Sequence, residues 1–226
     1  MFRRTILSIL GLVCAANLCG EETAELWCGS TLKVAQCNQW TLVLEPELRF
    51  EDNVRQLTHY NTAVLGLCKL SKTSTFGLGY RYLLQRSPGT EFEPENRGII
   101  QISNQVPFWD DTFTFKTRQR LELRRKPGES WANLRTRHQI GIVYRLPKRC
   151  FFIDELFSQN ELFVDIKQGR IVQNRWMPIG IIHHVNQRSA IKVAYLNRHR
   201  RSNDQWNVSH AAYLWFDYQL YAKNPS

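Results

Sequence analysis

The chain has 226 residues and a mass of 26.6 kDa, enough for one domain or two small ones. Its 43 % hydrophobic content excludes a disordered polypeptide. Its 30 Lys and Arg against 20 Asp and Glu give a net charge of +10, and beyond the N-terminal stretch there is no run of about 18 apolar residues, which excludes a helical membrane span.

Residues 1–20 read as a secretory signal. Arg3 and Arg4 form a charged n-region, residues 6–16 an apolar h-region, and Ala15, Ala16 and Gly20 provide small residues for cleavage after Ala16 or Gly20. Losing Arg3 and Arg4 takes the charge from +10 to +8. Export would leave Cys28, Cys37, Cys68 and Cys150 in an oxidising compartment, an even count that permits two disulfides in three connectivities. Residues 21–38 read as an N-terminal periplasmic extension, with the one helix-length pattern of the chain at 21–34. Cys28 and Cys37 are its expected pair, tying it into a compact hairpin or plug.

From residue 39 to 221 the chain alternates. In Trp40–Glu51, Trp40, Leu42, Leu44, Leu48 and Phe50 share one face; Thr41, Glu45, Glu47, Arg49 and Glu51 share the other, with Pro46 irregular. Segment 60–70 is small and apolar. In 76–84, Phe76, Leu78, Tyr80, Tyr82 and Leu84 oppose Gly77, Gly79 and Arg81; in 97–106, Ile100, Ile102 and Val106 oppose Arg97, Gln101, Ser103 and Gln105. In 112–124, Phe113, Phe115, Leu121 and Leu123 oppose Lys116, Arg118, Arg120, Glu122 and Arg124. In 134–146, Leu134, Ile140, Ile142, Tyr144 and Leu146 oppose Arg135, Arg137, Gln139 and Arg145. Weaker segments at 157–165, 172–183, 190–197 and 209–221 complete a set of ten. A helix would mix charge into each apolar stripe, so all are strands. No repeat or low-complexity linker divides them, so 39–221 is one domain and 222–226 a short tail.

The expected fold is all-β: a single antiparallel up-and-down β-barrel of about ten strands. Alternation fits a soluble exported barrel around an apolar ligand, or an outer-membrane barrel with its apolar face to lipid and its charges in the lumen. Four features favour the outer-membrane type. Aromatics gather at strand ends, with Trp40, Phe108, Trp109, Phe151, Phe152 and Tyr221 at one rim and Tyr82, Trp131 and Trp206 at the other. Turns near 71–73, 107–111, 147–152 and 185–188 fall on a periplasmic side, and mostly longer loops near 86–96, 125–133, 166–171 and 198–206 fall outside. The even count returns the C-terminus to the periplasm. The last strand sets Ala212, Leu214, Phe216, Tyr218 and Leu220 on one face and resembles the closing strand read by barrel assembly machinery, although the tail departs from an aromatic end.

Several pieces in order carry a family likeness: the Trp40 start with Glu45 and Glu47, Gly77-Leu78-Gly79-Tyr80, Glu95-Asn96-Arg97, Arg118-Gln119-Arg120-Leu121-Glu122, Arg135-Thr136-Arg137, Asn160-Glu161-Leu162-Phe163 and Gln173-Asn174-Arg175. Over residues 39–221 the chain resembles the bacterial outer-membrane-barrel-like family known as domain of unknown function two-four-nine-zero. The resemblance implies a barrel and supplies no activity. The cysteines and the extension up to Asn38 depart from it.

The lumen face carries Arg49, Arg81, Arg97, Lys116, Arg118, Arg120, Arg124, Arg135, Arg137, Arg145, Arg175 and Lys192, with Glu45, Glu47, Glu51, Glu122, Glu161 and Asp217. In a narrow barrel such charges must pair, so a structural salt-bridge network is expected. Its rival is a narrow passage for small anions. Nucleic acid is excluded as a partner by export; outer-membrane lipid and the assembly machinery are the expected partners of a monomer. Catalysis by a lipid-modifying enzyme would draw on His199, Ser202, Asp204, Ser209 and His210, yet Ser209 and His210 sit on opposite strand faces. His183 and His184 lack a third ligand for a metal. The expectation is a non-enzymatic protein without cofactor or metal.

Overall fold

Extended backbone puts every second side chain on the same face of a sheet, and the described residues form strands joined by turns and loops. The computed structural model describes residues 24–87, 90–129, 133–150, 152–202 and 204–221. The expected signal segment 1–20, the tail 222–226, Trp131 and Phe151 lie outside the described residues. The strands are β1 (Ala24–Cys37), β2 (Trp40–Glu51), β3 (Gln56–Lys69), β4 (Ser74–Gln85), β5 (Glu93–Phe108), β6 (Phe113–Arg125), β7 (Asn133–Cys150), β8 (Ile153–Asp165), β9 (Arg170–Asn186), β10 (Ser189–Ser202) and β11 (Gln205–Gln219).

Each strand pairs antiparallel with its successor, and β1 closes on β11 in parallel, from Ala24 beside His210 to Lys33 beside Gln219. The barrel is therefore a closed, mixed sheet of eleven strands rather than an antiparallel one of about ten. The additional strand is β1, formed by the segment expected to lie outside the barrel as an extension. Its alternation is masked because each face mixes polar and apolar residues. Glu25, Trp27 and Thr31 point inwards, while Leu26, Cys28 and Ser30 point outwards. The odd count puts Ala24 and Gln219 at opposite ends of the barrel, which corrects the expectation that both chain ends share a side. Turns 38–39, 70–73, 109–112 and 187–188 share one end, here the Asn38 end; turns 52–55 and 166–169 share the other, the Asp52 end.

The cysteine pairing is also corrected. Cys28 and Cys37 lie nine residues apart on β1, about 30 Å at the rise of a strand, so no disulfide can join them. Cys37 and Cys68 flank Trp40 from the two strands on either side of β2. Among the described residues Cys28, Cys37, Cys68 and Cys150 are free thiols, with Cys37 and Cys150 exposed. Alkylation without reduction is expected to label all four, these two fastest; a pair that stays unlabelled until reduced would contradict the geometry.

The two faces of the wall differ sharply. Leu42, Val64, Leu78, Ile100, Ile140 and Ile179 are among the large apolar side chains exposed on the outside, and exposed aromatics stand towards both ends, including Trp40 and Trp109, Tyr82 and Trp206. Polar groups on the outer wall bond to one another. Asn160 donates to Asn174 at 2.9 Å, Asn104 to Thr117 at 3.2 Å, and His138 meets both Gln119 and Thr136. The inside holds the buried charges Glu47, Arg81, Glu95, Arg120, Glu122, Arg137 and Glu161. A soluble barrel with an apolar lumen would show the reverse arrangement. Apolar residues do enter the interior in two clusters, one around Val43, Leu65 and Ile99 and one around Phe157, Met177 and Leu196.

Candidate functional site

Period two places the acids of one strand beside the bases of its neighbours, and the interior exploits this across β2 and β4 to β9. Glu122 on β6 is 0 % exposed and receives Arg135 at 2.5 Å and Arg137 at 2.9 Å from the adjacent β7, with Arg97 of β5 at 3.7 Å. Glu161 on β8 takes Arg137 at 2.8 Å, Arg118 at 3.0 Å and Arg175 at 3.8 Å. Arg137 thus joins the two carboxylates. Glu45 meets Arg81 at 3.3 Å and Arg120 at 3.9 Å, and Glu47 meets Arg49 at 2.5 Å. Arg120 also donates two hydrogen bonds to the side-chain Oε1 of Gln101, at 2.7 and 2.9 Å. All twelve residues expected to form the lumen network therefore take part in ion pairs. Charges buried this deeply demand partners, because an unpaired buried ion costs several kcal/mol.

Four further participants, Glu95, Glu25, Trp27 and Arg198, are not among the residues expected on the lumen face. Glu95 on β5 binds Arg97 at 2.7 Å and holds Arg124 through two bonds of 2.6 and 3.0 Å. Its spacing to Arg97 repeats that of Glu47 to Arg49, which is the signal that could have found it. Glu25 on β1 accepts from the Trp27 indole N–H at 2.7 Å and from Arg198 at 2.6 Å; Arg198 reaches Glu51 as well, at 3.2 Å. Glu25 and Trp27 were hidden by the misplacement of β1.

Trp27 and Phe163 are apolar groups placed among charges, 2 % and 0 % exposed. The guanidinium of Arg49 lies 3.8 Å from the centre of the Trp27 ring, and that of Arg175 lies 4.6 Å from it on β9. Arg175 is also 4.4 Å from Phe163, where Arg137 and Arg135 stack at 4.6 and 5.1 Å. A ring face attracts a desolvated cation, so the two aromatics let guanidinium groups crowd together. This layer lies between two cavities, both lined by Arg175: one of about 460 Å³ at the Asp52 end and one of about 190 Å³ reaching Lys192 and Trp215.

The candidate catalytic residues do not converge. Ser209 is inside and accepts from Arg198 at 3.0 Å, while His210 is outside against Tyr195, and Asp204 pairs with Arg170 and Arg201 at the rim. His183 and His184 pair with Asp154 and Glu155, at 3.1 and 3.4 Å. Among the described residues no group of three or more His, Cys, Asp or Glu side chains is arranged to hold a metal ion.

Buried ion pairs within and exposed apolar residues without define the class: a closed, mixed β-barrel with a charged interior. Within that class the chain belongs to the family described as Protein of unknown function (DUF2490), whose model matches residues 24–209. The match begins at the first residue of β1, so it includes the strand that the alternation pattern does not reveal. No curated protein and no solved structure matches the chain.

Proposed function

We propose that this protein is a non-enzymatic β-barrel of a bacterial outer membrane, monomeric, with a structural role and a bore closed to ions by its own side chains. The observation that carries the reading is the distribution of side chains on a closed barrel, apolar to the outside and charged to the inside. Lipid can solvate the first face only, and closure leaves no strand edge unpaired in hydrocarbon. The mutual bonding of polar groups on the outer wall supports it further, since such groups find no water there. Outer-membrane lipid is then the main partner, with barrel assembly machinery needed for insertion. The bore is closed because the layer of stacked arginines, Trp27 and Phe163 separates the two interior cavities.

Two measurements test this. Detergent-extracted protein is expected to migrate differently on a gel when boiled and unboiled; identical mobility would count against a membrane barrel. In a planar bilayer no steady current is expected. A steady anion-selective current, read from the reversal potential across a salt gradient, would instead support a narrow anion pore lined by the surplus arginines.

A further inference from the structure

We propose that the 460 Å³ cavity at the Asp52 end is a binding site for the phosphate group of a small polar organic phosphate. Its volume falls within the range of about 300–1,000 Å³ usual for small-molecule sites. Nine Lys and Arg side chains line it against two carboxylates, Glu51 and Glu93, and eight of the nine are arginines, whose forked donors match phosphate oxygens.

Most of these cations are already neutralised. Glu95 and Glu122 hold Arg97, Arg124 and Arg135 from below, Glu51 holds Arg198, and Glu93 holds Lys126. Arg86 and Arg200 have no carboxylate partner among the described residues. The Arg86 Nε–H donates to the Leu57 carbonyl at 2.9 Å, and its guanidinium stacks 4.7 Å from the Phe92 ring. Both contacts fix the group, and among the described residues its terminal nitrogens form no ion pair. Two uncompensated guanidiniums match a phosphate monoester, which carries about two negative charges at pH 7. The polar lining favours a hydrophilic body on that phosphate, such as a sugar or a glycerol.

The test is calorimetric titration of the detergent-solubilised full chain with inorganic phosphate, glucose 6-phosphate, dihexanoylphosphatidic acid and glucose. Saturable binding of the phosphate compounds, absent for glucose, is expected. Glucose 6-phosphate binding alone identifies a free solute as the source, and phosphatidic acid binding alone identifies a lipid headgroup. Arg86→Gln and Arg200→Gln should each weaken binding about tenfold or more, the loss of one charge-assisted hydrogen bond. Lys116→Gln removes one positive charge from the other half of the interior and should leave binding unchanged. The gel-mobility difference on boiling verifies that each variant is folded. No saturable binding of any phosphate compound would overturn the proposal, as would equal weakening by Lys116→Gln or equal binding of glucose.

Discussion

Replacing Glu122 by Gln is expected to destabilise the barrel by about 3–5 kcal/mol, the cost of breaking a buried ion pair from one side. The carboxylate is fully enclosed and neutralises Arg135 and Arg137 at hydrogen-bond distance, with Arg97 just beyond. An amide keeps the shape and removes the charge, so the guanidiniums repel one another where water cannot screen them. Glu161 offsets part of this for Arg137 alone; Arg135 has Glu122 as its ion-pair partner. Urea unfolding in detergent, followed by the mobility difference on boiling, measures the loss. Adding Arg135→Met to Glu122→Gln should recover part of it, because the second change removes an orphaned cation. A single-variant loss within about 0.5 kcal/mol, the range of ordinary surface changes, would mean the network is hydrated and contributes little.

The second large effect lies at the seam. β1 and β11 form the one parallel pair, and Trp215 of β11 lies across the position of Gly29 on β1, its indole N–H donating to Thr31 at 2.8 Å. A Cβ at Gly29 would overlap the Trp215 ring. Tyr213 stacks on the same indole at 5.5 Å, which leaves the ring little freedom to retreat. Gly29→Val is expected to cost about 1–3 kcal/mol or more, the range for forcing extra atoms into a packed site, and to raise hydrogen exchange selectively in β1. Trp215→Ala alone should cost a similar amount. Combining the two should cost much less than their sum, because the overlap disappears with the ring. Additive losses would show that Gly29 acts by some route other than contact with Trp215.

How the chain divides its surface was legible from residue order alone. A period of two survives in β2, β4, β6 and β7 because most of their outer positions are large and apolar, while their inner positions hold charged, polar or small residues with few large apolar ones. The face of each arginine and glutamate in the lumen network follows from that alternation without any knowledge of pairing. What alternation cannot carry is the contact between strands distant in sequence. β1 was missed because its inward Trp27 and outward Cys28 and Ser30 cancel the pattern, and those residues make sense only beside Arg49, Arg175 and the closing strand. The parallel closure, the odd strand number and the separation of Cys28 from Cys37 all follow from where β1 goes.

Partner choice within the network is likewise tertiary. Glu122 lies on the lumen face by parity, but that it serves Arg97, Arg135 and Arg137 while Glu95 serves Arg124 depends on the register between β5, β6 and β7. The cavity at the Asp52 end arises the same way, from the convergence of strand ends that are far apart in the chain. Residue order by itself determined the period and the two chemistries of the wall, because side-chain direction in a strand is a local property. Closure, register and the cavities were decided by tertiary structure, because they depend on which strands meet.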